Sequence, residues 1–157
     1  MHILQALPAH LGFVRQITQQ TIAAVYPHYY PAGAVRFFAA HHSDSAIADD
    51  IADGLVWLLR HDDCFVGTVT IRQNALYRLF VLPQWQGQGF GTSLLDFSEA
   101  RILRDFPQVT LDASLPAEAL YQKRGYRITG FYTIPCDGDF LCYHTMALPA
   151  RHKGTKT

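Results

Sequence analysis

Hydrophobic positions along the chain follow two patterns, which separate a helical first part from a strand-rich middle part. Apolar residues at helical spacing predict helices over residues 8–25, 34–41 and 43–53. Runs rich in β-branched and aromatic residues, punctuated by "HDD" and "QN", predict three adjacent antiparallel strands over 55–83. The last of these, 75–82, is almost wholly apolar, which predicts a strand buried on both faces.

The remainder of the chain alternates helix and strand signals. A helix is predicted over 92–106, then the strand "VTLDAS", the helix "LPAEALYQKRGY" with Gly125 after its end, and two strands joined by the turn "CDGD". Together with a short strand at 1–6, this order predicts an α/β chain with one mixed sheet. We expect a single domain over residues 1–150 and a basic, flexible tail over 151–157.

Composition narrows the classes of function. The 157 residues are 49% hydrophobic and carry a formal net charge of zero, which argues against nucleic-acid binding through a broad basic surface. No apolar run approaches the roughly 20 residues that cross a bilayer, so no membrane partner is expected. The cysteines Cys64, Cys136 and Cys142 form no CxxC pair and lie in apolar, strand-like contexts, which predicts reduced, buried thiols in a cytoplasmic protein.

The stretch "QWQGQGFGTSLL" carries Gly87, Gly89 and Gly91 between a predicted strand and a predicted helix. Glycines let backbone N–H groups approach a ligand closely, and a helix N-terminus adds unpaired N–H groups. This loop is therefore expected to bind an anion, most naturally a pyrophosphate. A glycine-rich turn without a ligand is the alternative.

Two other phosphate-binding motifs fit the loop less well. Walker A requires Gly-Lys-Ser/Thr, which occurs nowhere in the chain. In the dinucleotide fingerprint G-x-G-x-x-G, Gly87 and Gly89 match, but Thr92 stands at the third glycine position. Asp112, at the end of the next strand, is placed as a ribose-binding acid would be, whereas the antiparallel strands before the loop oppose this fold.

Two motifs carry a family resemblance. The loop in "LFVLPQWQGQGFGTSLL" resembles the acyl-CoA loop of the GNAT superfamily of N-acyltransferases, whose pattern is Gln/Arg-x-x-Gly-x-Gly/Ala. "LDASLPAEALYQKRGYRITG" resembles the family's later strand–helix–strand segment, in which a Tyr recurs before "GY" or "GF". The resemblance implies a largely antiparallel mixed sheet with a central splayed pair of strands and flanking helices. It also implies an N-acetyltransferase that moves an acetyl group from acetyl-CoA to a primary amine of a small molecule or peptide by direct attack.

The resemblance assigns the cosubstrate-binding residues. The pyrophosphate of CoA would lie on the loop formed by Gln86, Gly87, Gln88, Gly89, Phe90, Gly91 and Thr92. Leu79, Phe80 and Val81 would pair with the amides of pantetheine, and the Val81 N–H would stabilise the oxyanion formed at the thioester. Ser114 would lie near the pantetheine arm, with an N-cap of the following helix as its alternative role.

Tyr121 matches the family's candidate general acid, which protonates the departing CoA thiolate. Ordinary packing is the alternative, because Tyr126 is placed to contact Tyr121 across the Gly125 helix end. The general base departs from the family pattern. Tyr77 stands where many members have Glu, and a phenol is a poor base at neutral pH.

Other base candidates are His41, His42 and Asp44 in "HHSD". We expect no metal there, since adjacent helical side chains point about 100° apart. The acceptor pocket is expected to contain Tyr26, Tyr29, Tyr30, His41 and Tyr77, whereas Phe37 and Phe38 are interpreted as core.

This aromatic region suits a small, fairly apolar amine, because it has neither an acidic cluster for a polyamine nor a basic patch for a strongly anionic acceptor. Dimers are common in the family, and the apolar final strands could form a homodimer. The alternative function is a non-catalytic module that senses acyl-CoA or a dinucleotide, since the absent Glu weakens the assignment of catalysis.

Overall fold

The computed structural model describes residues 1–150, so the tail predicted at 151–157 lies outside the described residues. The strands are β1 His2–Gln5, β2 Val56–His61, β3 Cys64–Arg72, β4 Ala75–Val81, β5 Gln108–Ala113, β6 Arg127–Cys136 and β7 Asp139–Pro149. The helices are α1 Leu11–Val25, α2 Ala32–His41, α3 Asp44–Ala52, α4 Phe90–Asp105 and α5 Leu115–Arg124.

These strands form one mixed sheet in the order β1-β2-β3-β4-β5-β7-β6. Every neighbouring pair is antiparallel except β4 and β5, which are parallel and are connected through α4. The three consecutive antiparallel strands and the final hairpin agree with the prediction from the sequence. The mixed, largely antiparallel sheet with flanking helices is confirmed.

Alternation along β2 separates the two faces of the sheet. Val56 and Leu58 are buried in the core beneath α1, α2 and α3, whereas Trp57 and Leu59 pack into the core beneath α4 and α5. Because successive side chains of a strand point to opposite faces, this strand contributes to both cores.

The sheet opens in its centre, between β4 and β5. Their pairing comprises only Ala75 with Thr110 and Leu76 with Leu111, after which the two strands diverge. The prediction that 75–82 is buried on both faces is therefore wrong, since Tyr77 is 44% exposed where the strands have separated. A sequence pattern reports apolarity, whereas the gap arises from the diverging paths of two strands.

A bulge in β4 lies at the start of this opening. The register with β3 shifts between Thr68, which opposes Phe80, and Thr70, which opposes Tyr77. Arg78 within the bulge has a φ of 47°, in the left-handed region that a non-glycine residue adopts at some energetic cost. An extra residue in one strand bends it, which aims the following residues of β4 away from β5.

Three helix starts differ from the predictions, and one of them is that of α2, which begins at Ala32 instead of residue 34. Helix α4 begins at Phe90 instead of residue 92, because Gly89, in the left-handed region, occupies the N-cap position. Residues Pro8–His10 form a separate 3₁₀ turn before α1. Ser43 caps the N-terminus of α3, since its hydroxyl accepts a hydrogen bond from the Ala46 N–H.

The cysteine prediction is wrong for one thiol. Cys136 is buried and Cys142 is half-buried, but Cys64 is exposed because it begins β3 directly after a tight turn. Within residues 1–150, none of the helices combines the length and apolar character that crossing a bilayer requires.

Candidate active site

The opening between β4 and β5 contains two adjoining cavities. The first, which we call the loop cavity, has a volume of about 500 Å³ and lies against the glycine-rich loop. The second, the aromatic cavity, has a volume of about 260 Å³ and lies between α2, β4 and β7. The wall common to both consists of Tyr26, Leu79, Phe80, Ser114 and Ala117. A ligand in one cavity can therefore meet a ligand in the other.

Two glycines set the path of the loop. Gly87 and Gly89 have φ angles of 74° and 87°, which residues other than glycine rarely adopt. Helix α4 starts immediately afterwards, and its first intrahelical bond runs from the Ser93 N–H to the Gly89 carbonyl. The N–H groups of residues 89–92 consequently have no intrahelical acceptor, and no acidic side chain lies in this first turn. Such an arrangement binds anions.

Most of the predicted loop residues line the loop cavity, and these are Gln86, Gly87, Gly89, Gly91 and Thr92. The two remaining side chains turn away from it. Gln88 donates its amide to the Gln84 carbonyl, and the Phe90 ring packs beside His61 and Trp85. Any contact of Gln88 and Phe90 with an anion there would therefore use the backbone.

The end of β4 is tied to the loop. The Gln86 side-chain amide donates to the Val81 carbonyl oxygen at 2.9 Å, and the Thr21 hydroxyl of α1 donates to the same oxygen at 3.2 Å. These bonds hold the loop against the open edge of β4.

The register places the Val81 N–H on that open edge. The Leu82 N–H donates to the Val66 carbonyl at 2.9 Å, which makes Leu82 and Val66 a hydrogen-bonded antiparallel pair. Val81 and its partner Gly67 then form the non-hydrogen-bonded pair that follows, whose polar groups point away from each other. The Val81 N–H therefore faces the gap, as an oxyanion donor must.

Tyr121 lies on α5 and lines the aromatic cavity while being only 5% exposed. Its ring packs on Tyr126 with 5.5 Å between centroids, so the contact predicted across the helix end is present. Within residues 1–150, no group forms a hydrogen bond with the Tyr121 hydroxyl. Burial raises the pKa of this phenol, and the nearby Tyr26 and Glu99 add to the increase, so the proton is retained at neutral pH.

Helix α5 is anchored at its C-terminal end through Arg124. Its guanidinium binds Glu99 and Asp96 of α4, and the Tyr126 hydroxyl also donates to Glu99 at 3.0 Å. Carboxylates on both sides hold the arginine in place and raise its pKa. The position of Tyr121 thus depends on α4 as well as on its own helix.

At the N-terminal end of α5, Tyr30 supplies the cap. Its hydroxyl oxygen accepts a hydrogen bond from the Leu115 N–H at 2.8 Å, and burial raises its pKa to about 12. Tyr30 is buried and lines neither cavity, so its predicted substrate contact has no support here. Ser114 occupies the N-cap position, but its side chain makes no capping bond and instead lies on the shared wall.

The aromatic cavity is walled by side chains from three regions of the fold, which are Tyr26, Phe37, Phe38, His41, Tyr77, Leu79, Ile134, Leu141 and Tyr143. Phe37 and Phe38, interpreted from the sequence as core alone, pack on the core and also line this cavity. Tyr26 packs edge-on against Phe38 with centroids 4.7 Å apart. Tyr29, by contrast, lines the loop cavity and is half exposed.

Asp112 is the carboxylate that lines the aromatic cavity. Partial burial raises its pKa, and the nearby His41 opposes this effect. The sequence pointed to Asp112 only as a ribose-binding acid. Its place near the carboxyl end of β5, just after the last residue that pairs with β4, was the available signal.

The other base candidates differ in their surroundings. His42 accepts a hydrogen bond from the Arg78 Nε at its Nδ1 atom, and burial together with the arginine's charge lowers its pKa to about 3. His42 is therefore neutral and its acceptor nitrogen is occupied. Asp44 forms a surface ion pair of 2.8 Å with Arg15 and does not line the cavity. His41 lies at the cavity wall, stacked on Phe37.

In the described part of the chain, no three His, Cys, Asp or Glu side chains form a group able to hold a metal ion. Besides the backbone N–H donors of the loop and of Val81, the titratable side chains that line the aromatic cavity are those of Tyr26, His41, His42, Tyr77, Arg78, Asp112, Tyr121 and Tyr143.

Comparison with known proteins bears on this geometry. The chain is 27% identical over 128 residues to the S-alkylcysteine N-acetyltransferase of Bacillus subtilis (strain 168), covering 69% of this chain and 71% of that protein. The crystal structure of a GCN5-related N-acetyltransferase from Rhodopseudomonas palustris superposes with a TM-score of 0.86 at 23% identity, covering 94% of both chains. The PaiA N-acetyltransferase from Thermoplasma acidophilum, crystallised with coenzyme A, superposes with a TM-score of 0.75 at 16% identity, covering 94% of this chain and 98% of that one.

Both structural likenesses concern the fold alone. The sequence itself matches the acetyltransferase (GNAT) domain over residues 25–148, which contain the loop, α5 and, apart from Thr21, the residues that line both cavities. This chain therefore belongs to the GNAT family of acetyltransferases.

Proposed function

We propose that this protein transfers an acetyl group from acetyl-CoA to a primary amine of a small molecule or peptide. The observation that carries the proposal is that the two cavities share a wall, with Val81 lining the loop cavity and Tyr121 lining the aromatic cavity beside it. An anion-binding loop at one side and an aromatic pocket at the other suit a phosphorylated donor and an organic acceptor. The coenzyme A complex of the Thermoplasma acidophilum protein supports CoA as the donor's carrier.

The residues fit the donor in three ways. The N–H groups of 89–92 would bind the pyrophosphate, and the open edge of β4 would pair with pantetheine as an added strand does. The residues lining the loop cavity carry no ionised side chain, so binding would rest on backbone dipoles and on apolar contacts. Ser114, on the wall between the cavities, would contact the arm where it enters the aromatic cavity.

In the proposed reaction the amine nitrogen attacks the thioester carbonyl carbon, and a C–N bond forms. The carbonyl electrons move to oxygen, where the Val81 N–H stabilises the negative charge. The C–S bond then breaks, and the sulfur takes the hydroxyl proton of Tyr121. The attacking nitrogen passes its proton to the Asp112 carboxylate, and a proton returns from Asp112 through solvent to the Tyr121 phenolate, leaving an amide and free CoA thiol.

The raised pKa of Tyr121 is compatible with this role. Burial keeps the phenol protonated, so the acid is in the required state throughout the neutral range. The departing thiolate would form in the same water-poor cavity, where its own proton affinity also rises. The pKa of the Tyr121 phenol and the pKa of the CoA thiol are therefore both raised, so proton transfer from the phenol to the thiolate stays feasible.

The acceptor is proposed to be small and partly apolar. The aromatic cavity holds about 260 Å³ and is enclosed mainly by rings and aliphatic side chains. The name of the Bacillus subtilis relative, S-alkylcysteine N-acetyltransferase, describes an acceptor of this size, with an amine and an alkyl group. It favours a free small molecule over a protein N-terminus.

Ligand-induced thermal stabilisation and thiol release test this proposal. We expect acetyl-CoA and CoA to raise the melting temperature, NAD and NADP to leave it unchanged, and at least one member of a primary-amine panel to release CoA thiol. Stabilisation by acetyl-CoA without thiol release from any amine would support the non-catalytic sensor. Stabilisation by the nicotinamide cofactors alone would contradict acetyl transfer.

A homodimer stays a prediction. Strand β6 lies at the end of the sheet with one edge unpaired, and its exposed apolar side chains include Ile128, Phe131 and Tyr132. Edge strands of this kind pair readily with a second chain. Light scattering on the purified protein and on Phe131→Glu tests it, and a wild-type monomer at high concentration would contradict it.

A further inference from the structure

Arg78 has a guanidinium group that the fold uses only in part. Its Nε donates to His42 at 3.2 Å, and its Nη1 donates to Asp50 at 2.8 Å and to Thr70 at 3.1 Å. The third nitrogen, Nη2, has no hydrogen-bond partner within residues 1–150, although the side chain is only 6% exposed. Two strong donors of a nearly buried cation are therefore unused.

This amino group is not sealed from solvent. In the described part of the chain, the side-chain polar atoms that are both sealed from solvent and without a partner are Thr18 Oγ1 and His61 Nδ1. The Nη2 of Arg78 is not among them, so it reaches open space. Arg78 is one of the residues that line the aromatic cavity.

The charges around Arg78 leave an excess of one positive charge. The Asp50 carboxylate binds Arg72 at 2.7 Å and Arg78 at 2.8 Å, so one anion is shared between two cations. His42 is neutral and adds nothing to this sum. Three bonds and the β4 bulge hold the guanidinium in place before any ligand arrives, which lowers the entropy lost on binding.

We propose that Arg78 binds the carboxylate of the acceptor, so that the substrate class is an amino acid with an apolar side chain. This rests on the proposed acetyl transfer. Asp112, in the same cavity, faces the amine, and the rings of Phe37, Phe38 and Tyr143 face the side chain. The cavity wall offers the Arg78 cation to the carboxylate of a zwitterion and the Asp112 carboxylate to its amine. The residues that line the cavity do not form the extended basic patch that a strongly anionic acceptor would need.

Pairs of acceptors that differ only in the carboxylate test this inference. We compare kcat/KM for L-phenylalanine with 2-phenylethylamine, and for S-methyl-L-cysteine with 2-(methylthio)ethylamine. A charge-assisted contact predicts that each amino acid exceeds its amine about 10- to 100-fold. Arg78→Gln is expected to abolish this preference by lowering kcat/KM for the amino acids about 10- to 100-fold more than for the amines, whereas a purely structural role would lower both equally.

Arg72→Gln is the matched control. It removes the other arginine that binds Asp50, but it lies on the exposed side of the pair, so the preference should persist. Circular dichroism verifies that each variant is folded. If Arg78→Gln is unstable, Arg78→Lys takes its place in the comparison. Because lysine keeps the positive charge, this variant should retain part of the preference for amino acids.

The outcomes separate this inference from the function on which it rests. If the wild-type protein has equal kcat/KM values for each amino acid and its matching amine, the carboxylate site is overturned and acetyl transfer still stands. Failure of every amine to react would overturn acetyl transfer. In that case, calorimetry tests the carboxylate site. We expect N-acetyl-L-phenylalanine to bind more tightly than N-acetyl-2-phenylethylamine. Equal affinities would contradict the carboxylate site.

Discussion

The side-chain amide of Gln86 donates a hydrogen bond of 2.9 Å to the carbonyl oxygen of Val81. This bond joins the glycine-rich loop to the strand end whose N–H faces the gap in the sheet. The proposed phosphate site and the proposed oxyanion donor are thus connected by a direct hydrogen bond.

Gln86→Ala is expected to raise the KM for acetyl-CoA about fivefold, because a lost hydrogen bond of about 1 kcal/mol frees the loop from β4. Steady-state kinetics at saturating amine measure this change. Gln88→Ala is the matched control, since its amide contacts only the Gln84 carbonyl at the surface. A similar increase in both variants would contradict a specific role for Gln86.

Tyr121→Phe is expected to reduce kcat about 100-fold, because the thiolate loses its proton donor. Acetyl-CoA should still bind, as calorimetry can measure. Tyr126→Phe serves as the control, because that hydroxyl contacts Glu99 outside the cavity and should affect stability more than turnover. Unchanged kcat in Tyr121→Phe would leave Tyr121 as a packing residue only.

The rate of acetyl transfer should rise with pH through the raised pKa of Asp112, because only the ionised carboxylate accepts a proton. Asp112→Asn should lose this acidic limb of the pH–rate profile and turn over slowly. A profile that keeps the same limb in the variant would assign it to another group.

Asp112 also predicts an effect on stability. Its pKa is higher in the folded state than in the unfolded state, so ionisation destabilises the fold above the folded pKa and has no effect below the unfolded value. Asp112→Asn should therefore melt at a higher temperature than wild type at pH 7. At pH 3 the difference should vanish, and a difference of equal size at both values would contradict the assignment.

Gly89→Ala should destabilise the protein by about 1–2 kcal/mol, because a residue with a Cβ is strained at the φ of 87°, which lies in the left-handed region. No atom lies within 4 Å of that Cβ, so strain and not a clash is responsible. Gly91→Ala provides the comparison, since it lies inside α4 with its nearest neighbour at 3.9 Å. Denaturant unfolding measures both, and equal stabilities would argue against backbone strain at Gly89.

The sequence predicted most of the elements, since hydrophobic period, glycines and prolines act locally. The three consecutive antiparallel strands β2, β3 and β4, the final hairpin and the loop before α4 were all predicted from such signals. The family resemblance added Tyr121 and the loop residues, because their motifs are contiguous. The Arg78 cluster was missed, since its members Asp50, Thr70 and His42 come from three separate elements.

The sequence by itself determined where strands and helices form and where an anion-binding loop can exist, because backbone propensities and glycine conformations depend on near neighbours. Only the tertiary structure decided that β4 and β5 separate after Leu76, that Tyr30 caps α5, and that Asp112 and Arg78 line one cavity. Those relationships join residues far apart in the chain. They follow from packing of whole elements, which no local pattern encodes.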